Sequence, residues 1–260
     1  MNIGLIGSGN IASYLLENLE SNGQEDIKIT SVFGRNKKVG EQLADQFGIQ
    51  FYTDFQEFIQ SPIDLVVEAA TIDAAKQYMK MVLENDRDLM ISSIGVFKDD
   101  EVLHEVKKAS HKHSKYVYLP SGAIGGLDLL QAANALNGLD HVTITTRKSP
   151  KSLGIADINE EQILFEGSAR KAVEQFPKNV NVALLLSLAG IGADATMVKV
   201  VADPDIEKNT HTIEAKGDFG SMKLTIENNP MLNNPKTSYL AALSILSTLK
   251  NLNHSIRIGG

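Results

Sequence analysis

The chain of 260 residues has no cysteine, which excludes disulfides, thiolate catalysis and zinc–thiolate sites. It also has no surplus of positive charge: 25 Lys and Arg against 32 Asp and Glu leave a formal net charge of −7. Nucleic acids and anionic membrane surfaces reward a basic face, so neither is expected as a partner. No apolar run approaches the roughly 20 residues that cross a bilayer. With an apolar strand expected from Asn2, no leader is expected ahead of it, and the expectation is a cytoplasmic protein. Internal repeats and low-complexity linkers are missing too, so packed rather than tethered domains are expected. What remains is ordinary for a globular chain, 43% hydrophobic and 22% charged, and long enough for one large core or two moderate ones.

The most informative stretch is Ile3-Gly4-Leu5-Ile6-Gly7-Ser8-Gly9-Asn10-Ile11-Ala12. An apolar strand runs into a glycine-rich turn that opens a helix, the G-x-G-x-x-A form of the dinucleotide fingerprint. Gly7 permits the tight turn, Gly9 leaves room for a pyrophosphate, and Ala12 lets helix and strand pack closely. The helix N-terminus, with Asn10 and Ile11, presents N–H groups to the anion. Strands are then expected at 27–33, 50–52, 65–70, 88–93 and 116–120, alternating with helices. That order predicts an α/β fold, a Rossmann-type doubly wound parallel sheet, over residues 1–120. Residues 121–234 read as a second, α+β domain for substrate binding or dimerisation. A last helix, with Pro235 in its first turn, belongs to a segment 235–260 expected to pack back on the first domain.

NAD-binding folds place an acid at the end of the second strand to hold the ribose hydroxyls. Here Gly34 stands there, followed by Arg35, Lys37 and Lys38. Nothing repels a 2′-phosphate, and Arg35 can hold one bidentately. NADP is therefore expected to be accepted beside NAD, or even preferred. Ala69 and Ala70, and Ser93, stand at carboxyl ends of parallel strands, where ligands of this architecture bind.

The second half carries Pro120-Ser121-Gly122-Ala123-Ile124-Gly125-Gly126-Leu127-Asp128, Phe165-Glu166-Gly167-Ser168-Ala169-Arg170, Phe176-Pro177-Lys178-Asn179-Val180-Asn181-Val182, Ala202-Asp203-Pro204, Asn209-Thr210-His211, Ile226-Glu227-Asn228 and Asn234-Pro235-Lys236-Thr237-Ser238. With the amino-terminal fingerprint, these blocks resemble the L-aspartate dehydrogenase family, in order and over essentially the whole chain. The resemblance implies NAD(P)-dependent oxidative deamination of L-aspartate to iminoaspartate, and from it oxaloacetate and ammonia, with iminoaspartate available for NAD biosynthesis. It also implies a homodimer, a catalytic histidine at His211, and coenzyme-binding positions at Ala123 and Asn181. Gly34-Arg35 departs from the acid many relatives carry there, which puts strict NAD preference in doubt.

The chemistry agrees. Hydride leaves an amine carbon only when the amine is neutral, and imine hydrolysis needs an activated water; histidine serves either proton transfer. Asn209 lies two residues from His211, on the same side of a strand, where it can fix substrate or water. A dianionic substrate needs cationic or N–H partners. Ser121 and Gly122 in the glycine-rich turn, Lys236 and Thr237 at the expected start of the last helix, Arg147 and Lys151 are the candidates. No ligand set for a metal is expected, since His104, His111 and His113 lack clustered carboxylates. Two alternatives stay open: a related oxidoreductase resembling homoserine dehydrogenase or dihydrodipicolinate reductase, and a non-catalytic NADP-sensing protein.

Overall fold

The computed structural model describes residues 1–20, 26–176, 181–231 and 234–256, with only the backbone of 20 and 234–236. It divides into two compact units: Met1–Pro120 with residues 245–256, and Ser121–Ser244.

The first unit alternates β1 (Asn2–Ile6), α1 (Asn10–Glu20), β2 (Lys28–Phe33), α2 (Lys37–Phe47), β3 (Gln50–Tyr52), α3 (Phe55–Gln60), β4 (Leu65–Glu68), α4 (Ile72–Glu84), β5 (Asp88–Ile91), α5 (Asp100–His113) and β6 (Val117–Tyr118). The six strands order as β3-β2-β1-β4-β5-β6, all parallel. This is the expected doubly wound sheet, with its order reversing between β1 and β4, the point where such sheets bind ligands. Helix starts follow local chemistry. Asn36, Asp54, Thr71 and Asp99 each accept backbone N–H groups at the first turns of α2, α3, α4 and α5, each cap contributing about 1 kcal/mol. The central strands are apolar on both faces, as helix-covered parallel strands must be. Ile3, Leu5, Val32, Leu65, Val67 and Met90 share one core with Leu15 and Leu16 of α1.

The second unit holds α6 (Leu127–Ala133), β7 (Leu139–Lys148), α7 (Pro150–Leu153), β8 (Gln162–Ser168), α8 (Ala169–Gln175), α9 (Asn181–Ala189), β9 (Met197–Ala202), β10 (Asn209–Gly217), β11 (Gly220–Asn228), β12 (Pro230–Met231), β13 (Asn234–Ser238) and the start of α10 (Tyr239–Leu252). Its five-stranded mixed sheet orders as β11-β10-β7-β9-β8. Ile144, Val198, Val200, Ile213 and Ala215 are buried on one face. The opposite face carries Thr212, Thr225, Glu214, Lys223 and the exposed Met197, as period-two alternation requires.

Two expectations need correction. The last helix does not begin at Pro235: Asn234–Ser238 is a strand paired with Pro230–Met231, and the helix starts at Tyr239, whose N–H bonds Asn229 O at 2.9 Å. A proline followed by Thr237 suits an edge ladder as well as a first turn, and the ladder wins. The unit boundary correspondingly falls after Ser244 rather than at 234, and Ile245, Leu246 and Leu249 of α10 lie in the first unit's core. The helix after the glycine-rich turn is short, Leu127–Ala133, between the left-handed Gly126 and a turn containing Asn137 at φ +58°.

Candidate active site

Two arrangements carry the functional residues, one in each unit. In the first, Gly7 sits at φ +111°, and a Cβ there would lie 2.7 Å from Ala69 O. Only glycine fits both the backbone and the space. A Cβ on Gly9 would meet nothing within 4 Å, so the room beside it is left for a ligand. Asn10 and Ile11 open α1 directly behind. Around this turn lies a cleft of about 400 Å³ lined by Ser8, Gly34, Arg35, Asn36, Ala69 and Ala70, among others. A larger cavity, about 640 Å³, lies at the opposite, amino-terminal ends of β2 and β3, between the carboxyl ends of α1 and α2. The smaller cleft occupies the place where doubly wound sheets take their ligands. A Cβ at Gly34 would come within 3.3 Å of Ser8 Oγ, so an acid at that position would crowd the turn. Arg35 is exposed on the cleft lining and makes no ion pair among the described residues.

Ser93 stands just past β5, and its N–H and hydroxyl are given to the buried carboxyl of Glu68, the last residue of β4. In the sequence Glu68 reads as part of a buried strand. The signal was a lone acid ending the run Leu65-Val66-Val67-Glu68, which apolar packing alone does not account for.

In the second unit His211 lies on β10, in register with Thr146 of β7 and Ile226 of β11. It is 4% exposed, and its Nδ1 stands 3.0 Å from Thr146 Oγ1. Burial, and after it the positive charge of Lys148, push its pKa down to about 4, so the ring is neutral near pH 7. The Thr146 contact holds the ring's orientation, and with Nδ1–H donating to Thr146 Oγ1 it is Nε2 that is left to accept a proton. Lys148 shares the face of Thr146, and burial holds its own pKa below the ordinary value. Thr146 and Lys148 were missed in the sequence, although their spacing of two along a strand facing His211 was the available signal.

Asn209 pairs in register with Asn228. Asn228 is buried, donates to Ala123 O at 3.0 Å, and accepts from Ser238 Oγ at 2.5 Å. Gly122, at φ +65°, donates its N–H to Ser244 Oγ at 3.0 Å. That N–H is thereby removed from the set expected for a substrate carboxylate. Ser121 begins the same tethered turn. The side chain of Lys236 lies outside the described residues, and Thr237 is half-buried in β13. Arg147 is engaged elsewhere, paired with Glu161 and with Asp203 at 3.1 Å, and alternation turns it away from the His211 face. Asn181 opens α9, and its buried Oδ1 has no hydrogen-bond partner among the described residues. An orphaned buried acceptor is costly. In the first unit, the positive-φ Gly7 and the open space beside Gly9 at the head of α1 fit the pyrophosphate of a dinucleotide. No group of three or more potential metal ligands occurs among the described residues, and no helix among them is long and apolar enough to cross a membrane.

Comparison with known proteins gives the same division. Residues 7–120 match the family model for the homoserine dehydrogenase NAD binding domain, and residues 128–252 that for the C-terminal part of aspartate dehydrogenase. The L-aspartate dehydrogenase of Archaeoglobus fulgidus is 40% identical, over 98% of this chain and 99% of its own. That of Methanospirillum hungatei is 38% identical over 99% and 98%. The crystal structure of aspartate dehydrogenase from Thermotoga maritima superposes with a TM-score of 0.82 at 33% identity, covering 100% of this chain and 99% of that one. Scyllo-inositol dehydrogenase from Lactobacillus casei, at 12% identity and a TM-score of 0.59, shares the fold alone. A dinucleotide cradle, a buried neutral histidine and full-length relatives at this identity lead to one assignment: the chain belongs to the L-aspartate dehydrogenase family.

Proposed function

We propose that the chain oxidises L-aspartate with NAD or NADP, yielding oxaloacetate, ammonium and the reduced coenzyme with uptake of one water and release of one proton. The observation that carries this reading is the His211 cluster. A neutral imidazole, held by Thr146 beside the Lys148 ammonium, lies in the unit that matches the aspartate dehydrogenase model.

Bound coenzyme supplies the acceptor for the hydride on Cα. The chain's own residues handle the protons and carboxylates. His211 Nε2 takes the proton that keeps the substrate amine neutral and gives it up to solvent, the one proton released overall; it then takes one from the water that adds to the imine and passes that to the departing amine. An imidazole lowered to about 4 is a weak base in the free chain. A dicarboxylate brought beside His211 and Lys148 offsets both burial and the lysine charge, raising the imidazole toward its working range. Substrate charge thus prepares its own base. Lys148, Asn209 and Thr237 are the candidates for the carboxylates. Arg35, beside the acid-free Gly34, supports NADP as a coenzyme through a charge-assisted bond to the 2′-phosphate. The open face of the second sheet, on which Met197 is exposed, supports association of two copies, which light scattering would measure.

The test is a panel of L-aspartate, L-glutamate, L-homoserine and L-alanine, each with NAD and with NADP, read at the absorbance of the reduced coenzyme. Turnover restricted to aspartate is expected. Turnover of homoserine instead, or binding of NADP with no turnover of any amine, would overturn the reading.

A further inference from the structure

Glu68 is 1% exposed and makes no ion pair among the described residues. A buried carboxyl without a cation is a costly thing to keep, and burial raises its pKa above the ordinary carboxylate value. Its surroundings are built for the anion all the same. Oε1 accepts from Ala70 N–H at 2.8 Å and Ser93 Oγ–H at 2.9 Å, and Oε2 accepts from Ser93 N–H at 3.0 Å. Each of these partners donates, and only the ionised carboxylate is acceptor-only.

The place matters as much as the contacts. Glu68 pairs in register with Ile6, the residue before Gly7, on one side and with Ile91 on the other. The next residue, Ala69, donates its N–H to Ile6 O at 2.9 Å and supplies the carbonyl that Gly7 abuts. The carboxylate therefore lies at the reversal of strand order, tied to two turns, Ala69-Ala70 and Ser92-Ser93. Through Ser93 it reaches toward β5, while Arg35 follows β2, on the other side of β1.

We propose that the Glu68 carboxylate is a positioning and charge-selecting residue that favours the oxidised, cationic nicotinamide over the reduced, neutral one, as an enzyme working in the direction of amine oxidation requires. The inference rests on the nicotinamide-coenzyme reading given above. Both coenzyme forms carry the same pyrophosphate, so its repulsion by a nearby anion is common to both. The two forms differ by the charge on the ring, and a buried anion acts on that difference. Two unit charges roughly 10 Å apart in a protein interior interact by about tenfold in an equilibrium constant, so the effect does not require contact with the ring.

The experiment measures dissociation constants of oxidised and reduced coenzyme by calorimetry for the full chain and for Glu68→Gln, Glu68→Asp and Ser93→Ala. In Glu68→Gln the ratio of the oxidised to the reduced constant is expected to rise about tenfold. Ser93→Ala and Glu68→Asp keep the charge while loosening the tether, so both forms weaken together and the ratio stays within about threefold. Equal weakening of both forms in Glu68→Gln, or an unmoved ratio, overturns the proposal and leaves Glu68 a structural tether. Should Glu68→Gln fail to fold, Glu68→Met removes the charge in its place: a ratio raised about tenfold upholds the proposal, and an unmoved ratio overturns it. A parent chain that binds neither coenzyme form refutes the coenzyme reading instead, which separates the two failures.

Discussion

Thr146→Val removes one hydroxyl and nothing else of comparable size. Thr146 is 2% exposed, and its Oγ1 lies 3.0 Å from His211 Nδ1, itself in a residue 4% exposed. Water cannot replace the lost partner without opening the sheet. An imidazole nitrogen left buried and unpaired costs about 1–3 kcal/mol. The variant should therefore unfold about 2–12 °C lower, at roughly 2–4 °C per kcal/mol for a chain of this size. The larger effect is on chemistry. Without Thr146 the ring loses the bond that orients it, and loss of such an orienting bond lowers activity by about 10–100-fold. This loss belongs in kcat with L-aspartate, because the coenzyme cradle in the other unit is untouched and the coenzyme KM should hold. Thr146→Ser should restore most of both. Steady-state kinetics and thermal denaturation of the three proteins decide the matter. A kcat within twofold of the parent, whatever the melting temperature, would refute the idea that Thr146 acts through His211.

His211 also predicts a pH dependence of stability. Its folded pKa, about 4, lies below the unfolded value of about 6.5, so the unfolded chain binds the extra proton in that window. Stability is full above about pH 6.5 and is lost as pH falls toward 4, by up to about 3 kcal/mol. Denaturant titrations of the parent against His211→Asn should show that slope in the parent alone, and equal slopes would contradict it. The two fingerprint glycines should separate cleanly. Gly7→Ala, forced to φ +111° with its Cβ 2.7 Å from Ala69 O, should lose about 2 kcal/mol or more of stability. Gly9→Ala meets no protein atom within 4 Å; it should melt normally yet bind coenzyme at least about tenfold more weakly, the pyrophosphate being the neighbour it displaces. Arg35→Ala should raise the NADP dissociation constant about 10–100-fold, the scale of a charge-assisted pair, and change that of NAD by less than about threefold. Equal loss for both coenzymes would remove the account of NADP acceptance.

The first unit was legible because its signals are local. The fingerprint turn, the apolar strands and the alternation with helices each lie within one short window, and the capping residues Asn36, Asp54, Thr71 and Asp99 mark starts that sequence order alone leaves vague. The start of α10 was misplaced because Pro235 is equally at home in a first helical turn and an edge strand. The partner that decides between them, Pro230–Met231, is a separate strand whose pairing no local pattern announces. The sites divide in the same way. His211 stands out by residue type, whereas Thr146 and Lys148 become its neighbours only through the pairing of β10 with β7. Glu68 looks like a lapse in an apolar strand until the donors from Ala70 and Ser93 are seen to converge on it. Arg147 was attractive by charge, and its commitment to Glu161 and Asp203 depends on tertiary contacts.

The most direct test of the account compares reduced-coenzyme formation from L-aspartate by the parent chain and by His211→Ala, with coenzyme affinity measured on both. The account predicts that the parent turns over, and that the variant loses at least about a hundredfold in kcat while binding coenzyme as before. Comparable turnover by the two proteins would contradict the assignment of the proton-transfer step to His211 and leave the second unit without its proposed chemistry.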